Sequence, residues 1–274
     1  MLKRFVDLKD DLKSTIAVLD KDLPVLRQEE WEICDQLCRI LKPFEGATKT
    51  ISGEKYATAS LVIPLVNGLK SVCLKLTKKD FHPDVIQVVL KLNSGLFDRF
   101  ESVERSNTLT ACTFLDPRFK MLVFDNEQLS SNVKKNIIGI VTAKFLEKQT
   151  RNGGEETVNN NQCSDSESED ELSVWGSFKK TVSSSTKPKA TASSQAIIEV
   201  QRYLEEDLLP RNEDPCKWWR DFNHYYPVLS EVIREKFCAL ATSVPCERLF
   251  SKAGLIISER RSRLKAHKAR MLVF

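Results

Sequence analysis

Cysteines and histidines are the residues of this chain whose side chains could ligate a transition metal. The chain has eight cysteines and three histidines, and the closest cysteines, Cys34 and Cys38, are separated by three residues with no second such pair behind them. A zinc site needs four ligands at short spacings, whereas two thiols on one face of an amphipathic helix usually pack as small apolar side chains. We therefore predict reduced thiols, no metal site and no cofactor.

Basic side chains at the C-terminal end form a second group of candidate functional residues. Residues 247–274 contain eight lysines and arginines and two glutamates, a balance of +6, whereas the whole chain carries +4. Such a cluster can contact phosphates, act as a nuclear import signal or form an ordinary solvated helix face. The candidates for phosphate contact are Arg248, Lys252, Arg260, Arg261, Arg263 and Lys265.

An acidic, serine-rich tract, CSDSESEDEL over 163–172, has five acidic residues and no basic residue. It has the composition of an acidophilic kinase substrate, and equally that of a solubilising linker. The surrounding stretch, 151–194, is too polar to offset the entropy cost of ordering, so we predict that it is disordered. An apolar island at 172–178, LSVWGSF, could dock onto a folded domain or bind a partner.

Helices must position these groups, because apolar residues recur at intervals of three and four along most of the chain. Sustained β alternation is absent from the sequence, and glycine is scarce, with nine residues. We predict a mainly α fold. The predicted helices cover 1–20, 29–44, 59–77, 83–102 and 127–149, followed by shorter helices from 195 onward and a basic helix over 256–273.

Five aromatic residues lie within nine positions, and such a cluster buries a large apolar area either in a core or against a partner. They are Trp218, Trp219, Phe222, Tyr225 and Tyr226. The composition, 41% hydrophobic and 29% charged, excludes a wholly disordered chain. We expect no membrane span, because no uninterrupted apolar run of about 18 residues is present. We also expect no secretory signal, because the first residues are charged and amphipathic.

The sequence resembles the hAT-superfamily transposases and their domesticated BED-zinc-finger relatives, in motifs that follow one another in the family's order. The resemblance covers nearly the whole chain and is weakest in 151–170. Its motifs are LKPFEGATKTISGEKYATASLVIPLVNGL (41–69), TFLDPRFK (113–120), SVWGSF (173–178), and the terminal block from WWRDF (218–222) through VPCERLFS (244–251) to the C-terminus.

The resemblance implies a three-part organisation. We expect a helical insertion-type domain, a disordered acidic linker, and a C-terminal dimerisation region that is the helical remnant of an RNase H-like core. The expected boundaries are 1–150, 151–194 and 195–274.

The resemblance also implies a catalytic centre, of which this sequence shows one member. In hAT transposases two aspartates and one glutamate hold divalent cations for phosphoryl displacement at DNA. The matching glutamate is Glu247, whereas no strand-borne aspartate precedes the insertion-type domain, Asp116 belongs to the LDPRFK motif, and no BED finger is present. We therefore expect a catalytically incomplete chain that is not an enzyme, with Glu247 vestigial and suited to the first turn of a helix. Mg²⁺ or Mn²⁺ would matter only in a full core.

The function expected from the resemblance is dimerisation, as a homodimer or a hAT-related heterodimer, with weak non-specific DNA binding in the nucleus and no small-molecule substrate. One alternative is a fragment of a longer, active hAT DNA transposase with its aspartates upstream, and another is a helical adaptor that uses 172–178. We also expect exposed apolar surface in 1–20 and 241–260. The candidate dimerisation residues are Trp218, Trp219, Tyr226, Leu229, Leu249, Phe250 and Leu255.

Overall fold

The structure, a computed structural model, describes residues 1–19, 24–53, 56–124, 126–152, 191–256 and 266–273. Within these ranges the regular elements are helices and no strand occurs, so the predicted mainly α fold is confirmed. The acidic tract, the 172–178 island and four of the basic candidates (Arg260, Arg261, Arg263 and Lys265) lie outside the described residues.

Helices follow one another along the described ranges, with 3₁₀ turns at Ala59–Leu61 and Val103–Arg105. In chain order they are α1 (Leu2–Asp7), α2 (Lys9–Val18), α3 (Gln28–Ile51), α4 (Val62–Leu76), α5 (Pro83–Phe100), α6 (Asn107–Phe114), α7 (Glu127–Asn152), α8 (Ala192–Glu205), α9 (Pro215–Asp221), α10 (Pro227–Lys236), α11 (Val244–Ile256) and α12 (Ala266–Val273).

Two of the predicted helix boundaries were wrong. The single helix predicted over 1–20 is two helices, α1 and α2, separated at Leu8. The helix predicted over 29–44 continues to Ile51 and contains Pro43 within it. Proline deprives a helix of one backbone donor without necessarily ending it, and the helical pair Glu45–Lys49 supports the continuation.

The chain divides into two compact units. Unit 1 comprises Met1–Asp125, Leu208–Trp218 and Ile233–Phe274, and unit 2 comprises Asn126–Asp207 and Trp219–Val232. The division into 1–150, 151–194 and 195–274 stays a prediction.

The core of unit 1 lies between α3, α4 and α5, whose inward positions recur at helical spacing. The apolar side chains at its centre come from all three helices and are almost wholly removed from water. They are Ile40, Cys73, Leu76, Val85, Val89 and Leu96.

One described stretch, Ala59–Leu76, is long and apolar enough to cross a membrane by composition alone. Counting only uninterrupted apolar runs misses it, because Lys70 and Lys75 interrupt the sequence. Within the protein 44% of this stretch is buried, and Ile63 and Cys73 are fully enclosed. This burial is typical of a core helix, which passes the same test of composition, so the stretch is weak support for a membrane span.

The core of unit 2 lies between α7, α8 and the first turns of α10, where Ile137, Val200 and Leu229 are fully buried. A carboxylate is enclosed with them. Glu199 Oε1 accepts hydrogen bonds from the backbone N–H groups of Val228 (2.9 Å) and Leu229 (2.8 Å) at the start of α10. These donors have no partner within their own helix, so Glu199 acts as a side-chain cap supplied by α8.

Burial raises the pKa of the Glu199 carboxyl above its ordinary value of 4.5, although the two backbone donors oppose that rise. Because the folded-state pKa is raised, the folded chain loses stability as Glu199 ionises, that is, as the pH rises from about 4.5 through the folded-state pKa.

Glutamine keeps an accepting oxygen but does not ionise. We therefore predict that the stability of Glu199→Gln does not show this decrease with rising pH. Glu199→Ala leaves two buried donors unpaired and costs about 1–3 kcal/mol.

Urea unfolding followed by circular dichroism at several pH values measures both effects. The account fails if Glu199→Gln and the unmodified chain keep a constant stability difference from pH 4 to pH 7, or if Glu199→Ala is as stable as Glu199→Gln.

Candidate dimerisation interface

The helix α11 begins at Val244 in the VPCERLFS motif, with Pro245 in its first turn, and this turn is supported by polar contacts. The backbone N–H of Glu247 donates to the carbonyl oxygen of Ser243 at 2.9 Å, and the Ser243 hydroxyl donates to the Glu247 carboxylate. An acidic side chain in this first turn also interacts favourably with the helix dipole.

Residues that are distant in sequence contact α11 and the segment that leads into it, within unit 1. The Arg248 guanidinium donates to the carbonyl oxygen of Ser52 at 3.1 Å, beyond the end of α3. The backbone N–H of Ala241 donates to the Thr58 hydroxyl at 3.0 Å. These contacts fix the position of α11 through its polar side chains and preceding backbone, without burying its apolar residues.

No residue of α11 is buried within the chain. Phe250 is 72% exposed and Leu255 is 74% exposed, and Leu249 is half-buried. The helix contacts α12, where Met271 is exposed as well. Apolar side chains of this size on one short helix are typical of a surface that another molecule covers.

The aromatic cluster divides between core and surface. Trp219 and Tyr226 are buried in unit 2, where their rings pack edge to face with centroids 6.2 Å apart, and the Tyr203 ring lies 5.1 Å from Trp219. The Tyr226 hydroxyl donates to Glu206 at 2.8 Å, and burial raises the pKa of Tyr226.

Leu229 is fully buried and Trp218 half-buried. Trp219, Tyr226 and Leu229, which we proposed for dimerisation, therefore offer no surface to a partner in this conformation. The exposed candidates are Phe250 and Leu255, and periodicity could not separate the two groups because a core and an interface both require apolar residues.

Glu247 is exposed at the start of α11. Across the described ranges, no group of three or more histidines, cysteines, aspartates or glutamates is arranged to hold a metal ion. Of the basic candidates that the structure describes, Arg248 contacts Ser52 and Lys252 is exposed.

Asp116 of the LDPRFK motif is fully buried and forms a two-pronged ion pair. The Arg118 Nε donates to Asp116 Oδ1 at 2.9 Å and Nη2 donates to Oδ2 at 2.6 Å. The backbone N–H of Leu209 donates to the Pro117 carbonyl oxygen at 3.0 Å. The motif thus ties residues after α8 to those after α6 within unit 1, a structural role that sequence spacing alone did not reveal.

Residues 199–274 match the family model of the hAT family C-terminal dimerisation region. The chain therefore carries a hAT dimerisation domain. That domain begins within α8 and contains both the buried aromatic residues of unit 2 and the exposed helix α11.

Relatives of the hAT type extend beyond this domain over most of the chain. The chain is 25% identical to the human zinc finger BED domain-containing protein 4 over 277 residues, which cover 100% of this chain and 22% of that protein. It is 23% identical to the putative AC transposase of Zea mays over 259 residues, 90% of this chain and 31% of that protein. It is 26% identical to the mouse zinc finger BED domain-containing protein 6 over 233 residues, 76% of this chain and 23% of that protein.

The chain thus spans between about a fifth and a third of the length of these relatives. The resemblance inferred from the motifs is confirmed at low identity.

The buried pair Asp116–Arg118 leads to a stability prediction. We expect Asp116→Ala to cost about 3–5 kcal/mol, because it leaves the Arg118 guanidinium without its partner in a site that is closed to water. Replacing both residues by apolar ones, Asp116→Leu with Arg118→Met, costs less than the single substitution, because no unpaired charge remains buried. Thermal and urea unfolding measure the difference. A double variant less stable than Asp116→Ala would contradict it.

Proposed function

We propose that this chain acts by bringing two hAT-type chains together through α11. The observation that carries the proposal is the exposure of Phe250 and Leu255 on a helix with no buried residue, inside a hAT dimerisation domain. The simplest partner is a second copy, and a related hAT chain with the same helix is the heterodimeric form.

Covering this helix supplies the driving force. Each Å² of apolar surface removed from water contributes about 25 cal/mol, and stable interfaces of this kind resemble a core divided between two chains. A surface that meets its own copy around a two-fold axis forms a closed pair, since each side presents the same residues.

We predict that Phe250→Ser with Leu255→Ser converts the dimer into a monomer without changing the helix content. The control is Leu122→Ser, because Leu122 is 73% exposed, as Leu255 is 74% exposed, but lies in unit 1 outside the dimerisation domain. Light scattering coupled to size-exclusion chromatography gives the mass, and circular dichroism gives the helix content. A double variant with the same mass as the unmodified chain, or a control that also dissociates, would overturn the role of α11.

We also propose that the chain by itself does not cleave DNA. Its support is the position of Glu247, an exposed carboxylate that accepts from Ser243 in the first turn of α11, as expected of a helix-terminal acid. One carboxylate does not hold a pair of cations. The alternative, that the chain is part of a longer active hAT transposase, is favoured by its alignment with 31% of a putative transposase.

We predict no nicking of supercoiled plasmid by this chain with Mn²⁺ at any protein concentration, and no difference between the chain and Glu247→Gln. Nicking that Glu247→Gln abolishes would establish a complete active centre and contradict the proposal. Nicking that persists in Glu247→Gln would indicate a contaminating nuclease.

Weak, non-specific DNA binding in the nucleus completes the proposal. Its support is the excess of basic residues after Glu247, of which Lys252 is exposed, and four others (Arg260, Arg261, Arg263 and Lys265) are known from sequence alone. Fluorescence anisotropy with labelled duplex measures it, and affinity should fall steeply between about 50 and 200 mM salt because phosphate contacts release counterions. A salt-independent affinity would exclude phosphate contact.

A further inference from the structure

Helices α4 and α5 bury one side against α3 and leave large apolar residues on the other side. The core takes Cys73 from α4 and Val89 from α5. On the outside, Leu74 of α4 is 54% exposed, and Leu90 and Phe97 of α5 are 45% and 49% exposed. These three side chains lie outside the dimerisation domain, so dimerisation through α11 does not account for them.

The exposed residues form one surface across both helices. Leu90 and Phe97 are seven residues apart, two helical turns, and therefore share a face of α5. The Lys70 Nζ lies 4.5 Å from the centroid of the Phe97 ring, which places that face beside α4. Leu74 follows Lys70 by one turn on the same side of α4. We name Lys70, Leu74, Leu90 and Phe97 the α4–α5 face.

Lysines surround this face. Residues 70–98 contain five lysines and three aspartates, an excess of two positive charges. One of the acids, Asp98, accepts from Ser94 of its own helix. Within the described residues none of the five lysines forms an ion pair, and all but Lys70 are exposed on or beside the two helices. They are Lys70, Lys75, Lys78, Lys79 and Lys91.

An apolar centre with a basic border suits a peptide that combines acidic and large apolar residues. Nucleic acid fits less well, because the centre of the face holds leucines, which do not contact phosphates.

The chain itself contains a sequence of this kind. Residues 163–178, CSDSESEDELSVWGSF, place five acids before Leu172, Val174, Trp175 and Phe178. The chain from Asn152 to Leu172 can extend to about 70 Å.

We propose that the α4–α5 face is the docking site of residues 163–178. The acidic part pairs with the bordering lysines, and the apolar residues at 172–178 cover the leucines and Phe97. Phosphorylation of Ser164, Ser166 or Ser168 adds about −1.5 to −2 charges per site and tightens the docking. The proposal does not depend on dimerisation, since it uses residues outside the dimerisation domain.

The test titrates a fluorescent peptide of residues 163–178 into the full chain in which these sixteen residues are replaced by glycine and serine, so that the face has no competing segment. We expect saturable binding that weakens with salt. Two changes should each lower the affinity at least tenfold: the charge reversal Lys75→Glu, Lys78→Glu and Lys91→Glu, and the apolar change Leu74→Ser with Phe97→Ser. The control Lys135→Glu, an exposed lysine of α7, should bind as the parent does.

Absence of saturable binding up to 1 mM peptide overturns the proposal, as does binding that survives both sets of changes. A labelled DNA duplex is titrated in parallel. Duplex binding that the charge reversal abolishes, without peptide binding, assigns the face to nucleic acid and also overturns it. Circular dichroism of each variant confirms folding, and peptide triply phosphorylated at the three serines should bind more tightly than the unmodified peptide.

Discussion

The apolar side chains of α11 are not buried within the chain, and the proposed association depends on this exposure. Leu229 of α10, the helix that precedes α11 in the chain, is fully buried. Phe250 and Leu255 of α11 are exposed to water. Exposed apolar surface costs about 25 cal/mol per Å², so any arrangement that covers it is favoured. A second copy supplies an identical helix, which makes self-association the most direct way to remove this exposure.

Polar contacts hold several segments of the fold in place, including α11. Among the buried carboxylates, Glu199 of α8 caps the start of α10, about 30 residues further along the chain, and Asp116 pairs with Arg118 in its own motif. The contact of Arg248 with Ser52 joins α11 to the end of α3. Because the contact of Arg248 uses a polar side chain, it leaves Phe250 and Leu255 of α11 exposed.

Much of the fold could be predicted from the period of the apolar residues. The helix expected over 83–102 is Pro83–Phe100, because Pro83 marks its start and its apolar stripe is regular. The continuation of α3 past Pro43 could not be predicted, since side-chain pairs such as Glu45–Lys49 offset a local helix breaker. The sequence also could not show whether Trp219 is buried within the chain or at an interface between chains, because both environments require a large apolar side chain.

Sedimentation equilibrium of the unmodified chain at micromolar concentration tests the central claim most directly. The account predicts a species of twice the chain mass of 31.3 kDa, dissociating on dilution as a single reversible equilibrium. A species of 31.3 kDa at every concentration, with Phe250 and Leu255 intact, would contradict association through α11.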